Sequence, residues 1–266
     1  MLDSYNRNVD YLRISVTDRC NLRCQYCIPE EGVNLFDCDD ILKFEEIKDF
    51  VNVAVKKGIK KVRLTGGEPL VREGTVNLVS MLSKIEGIND LSLTTNGTLL
   101  NKYAVELKNA GLQRINISLD TLSTEKYKKI TKNGNLSDVL KGIEAVQKAG
   151  FRPIKINCVV ENSSDEKDAR EVAEFCKINK LEVRFIHKMN LKKGEYTTVE
   201  GGKGGNCKSC NRLRLTANGK LKPCLFNDIE FDIRKLGYEK AIKMAIKMKP
   251  EFGKVNNINE FSNIGG

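Results

Sequence analysis

The chain has 266 residues, 40% hydrophobic and 30% charged, with nine cysteines and a net charge of +10. That is the balance of a soluble globular protein, and no run approaches the roughly 18 uninterrupted apolar residues of a membrane span. The start, MLDSYNRNVDYLRIS, has no basic flank before an apolar stretch, so no secretory leader is expected. The cysteines then read as reduced thiols in the cytoplasm, not as a disulfide framework.

In chain order, YLRISV (11–16) predicts a strand, and 44–58 an amphipathic helix stopped by Gly58. A strand follows at 60–67, a helix at 73–86, a strand at 90–97 and a helix at 101–110. Strands at 113–120, 153–160 and 181–189 are separated by helical patterns at 123–130, 136–149 and 166–179. Six strands alternating with helices imply a parallel sheet with right-handed crossovers: an α/β fold, either doubly wound or a partial (β/α)6 barrel. The polar clusters TDRC, TGGEP, TTNG, SLD and HKMN each follow a strand, which gathers them at the carboxyl edge where such folds build sites.

After Met189 the pattern changes. Residues 190–206 are glycine-rich and read as a linker, and RLRLT and KLKPCLF flank Ala-Asn-Gly as a hairpin. Residues 228–249 look helical, and the tail NEFSNIGG looks flexible. The expected division is a barrel over 1–189, a linker over 190–206 and a C-terminal region over 207–266. Positive charge favours an anionic partner such as a nucleotide. Runs such as KYKKITK and KAIKMAIKMK read as solvated helix faces, and sparse aromatics offer no platform for nucleic acid.

Two cysteine triads carry the chemistry. Cys20, Cys24 and Cys27 are spaced C-x3-C-x2-C with Tyr26 before the last. Three thiolates can hold a four-iron cluster and leave one iron open; a zinc site with a distant fourth ligand, or three buried thiols, are the alternatives. Cys207, Cys210 and Cys224 form C-x2-C-x13-C, again three. A zinc knuckle completed by His187, Cys176 or Cys158 is the alternative there.

The first triad, with GGEP about forty residues on, resembles the radical S-adenosylmethionine superfamily. The resemblance implies that the open iron chelates the amino and carboxylate groups of S-adenosylmethionine. One electron then yields a 5′-deoxyadenosyl radical. It also implies cofactor contacts at Tyr26, Gly67, Ser118 and Met189. CNRLRLTANGKLKPCLF, the opening DSYNRNVDYLRISVTDRCNLRCQYC and the closing IGG resemble the GTP 3′,8-cyclase family, also called molybdenum cofactor biosynthesis protein A.

That resemblance implies conversion of GTP to (8S)-3′,8-cyclo-7,8-dihydroguanosine 5′-triphosphate. It implies two four-iron clusters, the second meeting the guanine, and a reducing electron donor. Substrate contacts fall on Arg13, Arg63, Thr94, Lys155, Arg212, Leu213 and Arg214, and a catalytic tail on Gly265 and Gly266. A homodimer is compatible with it. This sequence departs from the family in a shorter segment before Cys207 and in His187, where an acidic residue is usual. A related two-cluster radical enzyme acting on another nucleotide or a peptide is therefore the alternative. A zinc-dependent nucleic-acid-binding module would leave GGEP and the open triad without a purpose.

Overall fold

The computed structural model describes residues 1–29, 32–202 and 204–264. Strands β1 (Tyr11–Ser15), β2 (Lys61–Thr65), β3 (Asp90–Thr95), β4 (Arg114–Ser118), β5 (Ile154–Val160) and β6 (Glu182–His187) pair in parallel in that order. Helices α1 (Phe44–Lys56), α2 (Thr75–Ser83), α3 (Leu100–Asn109), α4 (Thr124–Thr131), α5 (Leu136–Lys148) and α6 (Lys167–Ile178) fall between them. Alternation within each strand decides what faces where. Leu12 and Ile14, Val62 and Leu64, and Leu91 and Leu93 join the main apolar core, while Arg13, Arg63 and Ser92 sit at the alternate positions.

The last third of the chain extends the same sheet. Strand β7 (Arg212–Leu215) lies parallel to β1, with Arg214 opposite Arg13 and Arg212 opposite Tyr11. Strands β8 (Lys220–Lys222) and β9 (Phe231–Asp232) follow antiparallel, giving the order β6-β5-β4-β3-β2-β1-β7-β8-β9. The two edges, β6 and β9, do not meet, so the sheet is open. Yet residues from all of β1 to β7 line one cavity of about 480 Å³. Neighbouring strands stand about 4.8 Å apart, so β6 and β7 would lie roughly 29 Å apart in a flat sheet. The sheet must therefore curl around that cavity.

Three expectations change. Residues 228–249 are not one helix: β9 leads into α7 (Ile233–Leu236), and α8 (Tyr238–Lys247) starts after Gly237, whose φ of 77° breaks the helical path. The tail is ordered as α9 (Phe261–Ile264), with Ile264 buried against Leu191, Leu225 and Phe226. The segment 190–206 is packed, since Leu191 is buried and Tyr196 stacks on Phe226 with ring centroids 4.4 Å apart. Gly265 and Gly266 lie outside the described residues.

Candidate active site at two poles of one sheet

The first pole lies beyond the carboxyl ends of β1 to β5. The loop carrying Cys20, Cys24 and Cys27 is pinned on several sides. Arg23 and Gln25 donate main-chain hydrogen bonds to Thr131 and Ile130, and Asn133 Nδ2 donates to the Asn21 carbonyl at 2.8 Å. Asn96 Nδ2 donates to Asn21 Oδ1 at 2.8 Å. The two glycines of TGGEP explain themselves by close approach. A Cβ on Gly66 would stand 2.5 Å from the Thr17 carbonyl, and one on Gly67 would overlap the Arg19 carbonyl. Main chain thus lies on main chain, with Gly67 and Glu68 amides donating to the Thr17 and Arg19 carbonyls.

The carboxylates Glu68, Asp18 and Asp120 belong to this pole: Glu68 and Asp18 are buried, and Asp120 is half-buried. Glu68 accepts from Thr95 Oγ1 (2.8 Å) and the amides of Leu70 (3.0 Å) and Asn96 (2.7 Å). Burial outweighs those bonds and pushes it up to about 7. Asp120 accepts from Tyr26 Oη (2.7 Å) and the Val159 amide (2.8 Å), and burial raises it to about 6. Burial and neighbouring Cys20 push the Cys27 thiol up to about 12; burial and the adjacent Cys27 raise Cys24 further. All nine cysteines are free, and among the described residues no three His, Cys, Asp or Glu side chains converge on a single ion. Three free thiols carried on one anchored loop are the kind of donor set that a four-iron cluster takes. It would favour their thiolate forms.

The second pole lies around the amino ends of the strands, and its charge is opposite. Arg13, Lys61, Arg63, Arg114, Arg184, Arg212 and Arg214 line the cavity together with Asp90 and the three thiols Cys207, Cys210 and Cys224. Arg114 pairs with Asp90, Nε to Oδ1 at 2.8 Å, and Arg63 donates to Ser92 Oγ at 3.2 Å. Burial and the adjacent Arg212 push Arg214 down to about 10; burial, Arg214 and Arg63 depress Arg13. Guanidiniums that lower one another in this way gain from a polyanion placed among them. Burial alone would raise Cys210, but Lys249 and Arg212 bring it down to about 7.

Residues 14–176 match the Radical SAM superfamily, and residues 179–251 match Molybdenum Cofactor Synthesis C. A GTP 3′,8-cyclase of Thermodesulfovibrio yellowstonii is 43% identical over 282 residues, covering 89% of this chain and 88% of the relative. One of Peptoclostridium acidaminophilum is 43% identical over 277 residues, covering 88% and 85%. The chain belongs to the GTP 3′,8-cyclase family of radical SAM proteins. Those 282 aligned positions outnumber the residues of this chain that they cover, so the relative carries residues that this chain lacks. In fold, the structure of Streptococcus suis SuiB bound to S-adenosylmethionine matches with a TM-score of 0.67 at 18% identity. That match covers 91% of this chain and 66% of the other, so this chain spans just under two thirds of its length.

Set against the family resemblance, Arg13, Arg63, Arg212, Arg214 and Met189 line the cavity with the second triad. Thr94 Oγ1 is buried without a hydrogen-bond partner among the described residues, as a group awaiting a ligand would be. Lys155 instead pairs with Glu182 and is not among the lining residues. Leu213 is buried in the main core, so only its main chain is left to meet a ligand. Ser118 ends β4, two residues before Asp120 and its Tyr26 contact. His187 faces Glu200 at 3.1 Å, and Cys158 and Cys176 are core residues, so none of them is turned to the second triad.

Sequence reasoning missed Arg184, Lys61 and Arg114 in the cavity, and Lys249 behind it. Period-two alternation with Ile186, another lining residue, would have found Arg184. Lys249 carried no such signal, because it lies just past a lysine-rich helix whose own lysines face solvent.

Proposed function

We propose that the chain is a GTP 3′,8-cyclase, converting GTP to (8S)-3′,8-cyclo-7,8-dihydroguanosine 5′-triphosphate for molybdenum cofactor biosynthesis. The observation that carries this reading is the 480 Å³ cavity, which sets seven basic side chains and three thiols around one space. A triphosphate brings close to four negative charges, and forked guanidiniums are suited to hold them.

Cys20, Cys24 and Cys27 would hold one four-iron cluster and Cys207, Cys210 and Cys224 a second, with Tyr26, Gly67, Ser118 and Met189 around S-adenosylmethionine. When bound, the first cluster and S-adenosylmethionine together supply the radical that takes the ribose hydrogen. The chain's own residues do the rest. Arg63, Arg184, Arg212 and Arg214 neutralise and orient the triphosphate, so the ribose is held at a fixed depth in the cavity. Curling the sheet around that space keeps bulk water from the reacting carbon. Ile264, seated on Leu225 and Phe226 at the cavity wall, supports a tail whose Gly265 and Gly266 assist catalysis.

Anaerobic turnover with GTP, S-adenosylmethionine and a strong reductant tests the reading. The cyclised nucleotide is expected only when all three are present. Cleavage of S-adenosylmethionine with GTP returned unchanged would overturn the substrate assignment and leave the radical chemistry standing.

A further inference from the structure

The segment following α8, Lys249 to Gly253, runs against the second triad, meeting the Cys210 and Cys224 arms directly and Cys207 through Arg7 and Tyr196. Lys249 is 2% exposed. Its ammonium donates to the Arg212 carbonyl at 2.7 Å, the Pro223 carbonyl at 2.7 Å and Cys210 Sγ at 3.5 Å. It therefore bridges the two arms of the hairpin, one bearing Cys210 and the other Cys224. The carbonyls of Pro250 and Glu251 accept from Arg7 at 2.6 and 2.8 Å, and Arg7 also donates to the Cys207 carbonyl at 2.8 Å. The Gly253 carbonyl accepts from Tyr196 Oη at 3.2 Å, and that oxygen stands 3.2 Å from Cys207 Sγ.

A buried lysine with a purely structural task would be satisfied by carbonyls. Here one donor is spent on sulfur, and a second sulfur has a tyrosine hydroxyl. The first triad also has a tyrosine against a sulfur, Tyr26 at Cys24, and differs in charge: the donors to Cys20 Sγ are the Leu22 amide at 3.4 Å and Asn96 Nδ2 at 3.9 Å, both neutral amides, where Cys210 Sγ has an ammonium. Adding an electron to a thiolate-ligated cluster adds negative charge, and hydrogen bonds or a nearby cation stabilise that reduced state. Tyr196 belongs to the segment that joins β6 to β7, so that segment supplies part of the second pole.

We infer that Lys249 and Tyr196 are positioning residues for the second triad: they fix two of its three sulfurs and make the cluster held there easier to reduce. The inference rests on the reading that Cys207, Cys210 and Cys224 hold a four-iron cluster. Nothing in the match to known relatives assigns these two side chains a role.

The test uses the full chain carrying Cys20→Ser, Cys24→Ser and Cys27→Ser, reconstituted anaerobically so that only the second triad is observed. Iron and sulfide are counted, and the reduction potential is read by EPR-monitored titration. The parent should hold about four irons. Lys249→Met and Tyr196→Phe should each shift the potential negative, the first by more, and Lys249→Arg should stay nearer the parent. A folded Lys249→Met chain that loses iron also supports the inference. Four irons at an unchanged potential in both variants would overturn it. An iron-free parent would instead overturn the cluster reading, and the inference with it. If circular dichroism shows Lys249→Met unfolded, Tyr196→Phe decides alone, because it removes one oxygen and leaves the ring on Phe226.

Discussion

The two poles of the sheet hold three thiols each and treat them in opposite ways. At the carboxyl pole the cysteine loop is set by main chain lying on main chain, and the carboxylates Glu68, Asp18 and Asp120 lie nearby. At the amino pole the triad sits on a hairpin beside arginines and a buried lysine, and Cys210 is brought down to about 7. One pole is shaped to hold a cationic sulfonium near carboxylates, and the other to receive a polyanion. The difference teaches that thiol spacing alone does not set what a cysteine triad is suited to; the charge around it does.

The comparison breaks first at Gly67. Gly67→Ala forces a methyl into the Arg19 carbonyl and should cost about 3 kcal/mol of stability together with the iron of the first triad. An unchanged melting temperature and iron content would show that the backbone stacking is not what sets that pole. Next comes Glu68, whose folded pKa is raised from 4.5 to about 7. A raised carboxyl contributes stability that is fully present below about 4.5 and lost as pH rises through about 7. Glu68→Gln should flatten that decline, on the order of 3 kcal/mol, in melting curves recorded across the window. Identical slopes in both proteins would place the ionisation elsewhere.

The second pole is sharpened by Arg212→Ala, which should weaken GTP binding roughly tenfold to a hundredfold while S-adenosylmethionine cleavage continues. Equal loss of both activities would make this arginine a structural residue. The smallest effect is expected at His187, whose pairing with Glu200 lies near the surface. His187→Ala should change stability by less than about 1 kcal/mol and leave turnover with GTP within about twofold. A collapse of turnover would bring the segment joining β6 to β7 into the chemistry directly.

Much of the scaffold was legible because apolar alternation and helical periodicity are local signals. The six parallel strands fall within a residue or two of expectation, and TDRC, TGGEP, TTNG and SLD do meet at one edge. What local pattern could not carry was pairing at long range. Nothing around RLRL announces that it lies beside YLRIS two hundred residues earlier. Lys249 resembled its solvated neighbours until α8 ended and turned it inward. TGGEP was legible as a polar cluster after a strand, but not that its glycines lie against the main chain leading into the cysteine loop. Residues 228–249 misled because their lysines and apolar positions keep a helical period across Gly237.

The seating of β7 on the free side of β1 has a consequence for biogenesis. The hydrogen bonds described for the first cysteine loop come from residues up to Val159, so a nascent chain can assemble most of that pole before its last hundred residues have emerged, with Glu260, which acts on Cys27, joining last. Until Arg212–Leu215 emerges, the outer edge of β1 is an unpaired template open to other strands. Stalled or truncated products ending before β7 should therefore aggregate through β1.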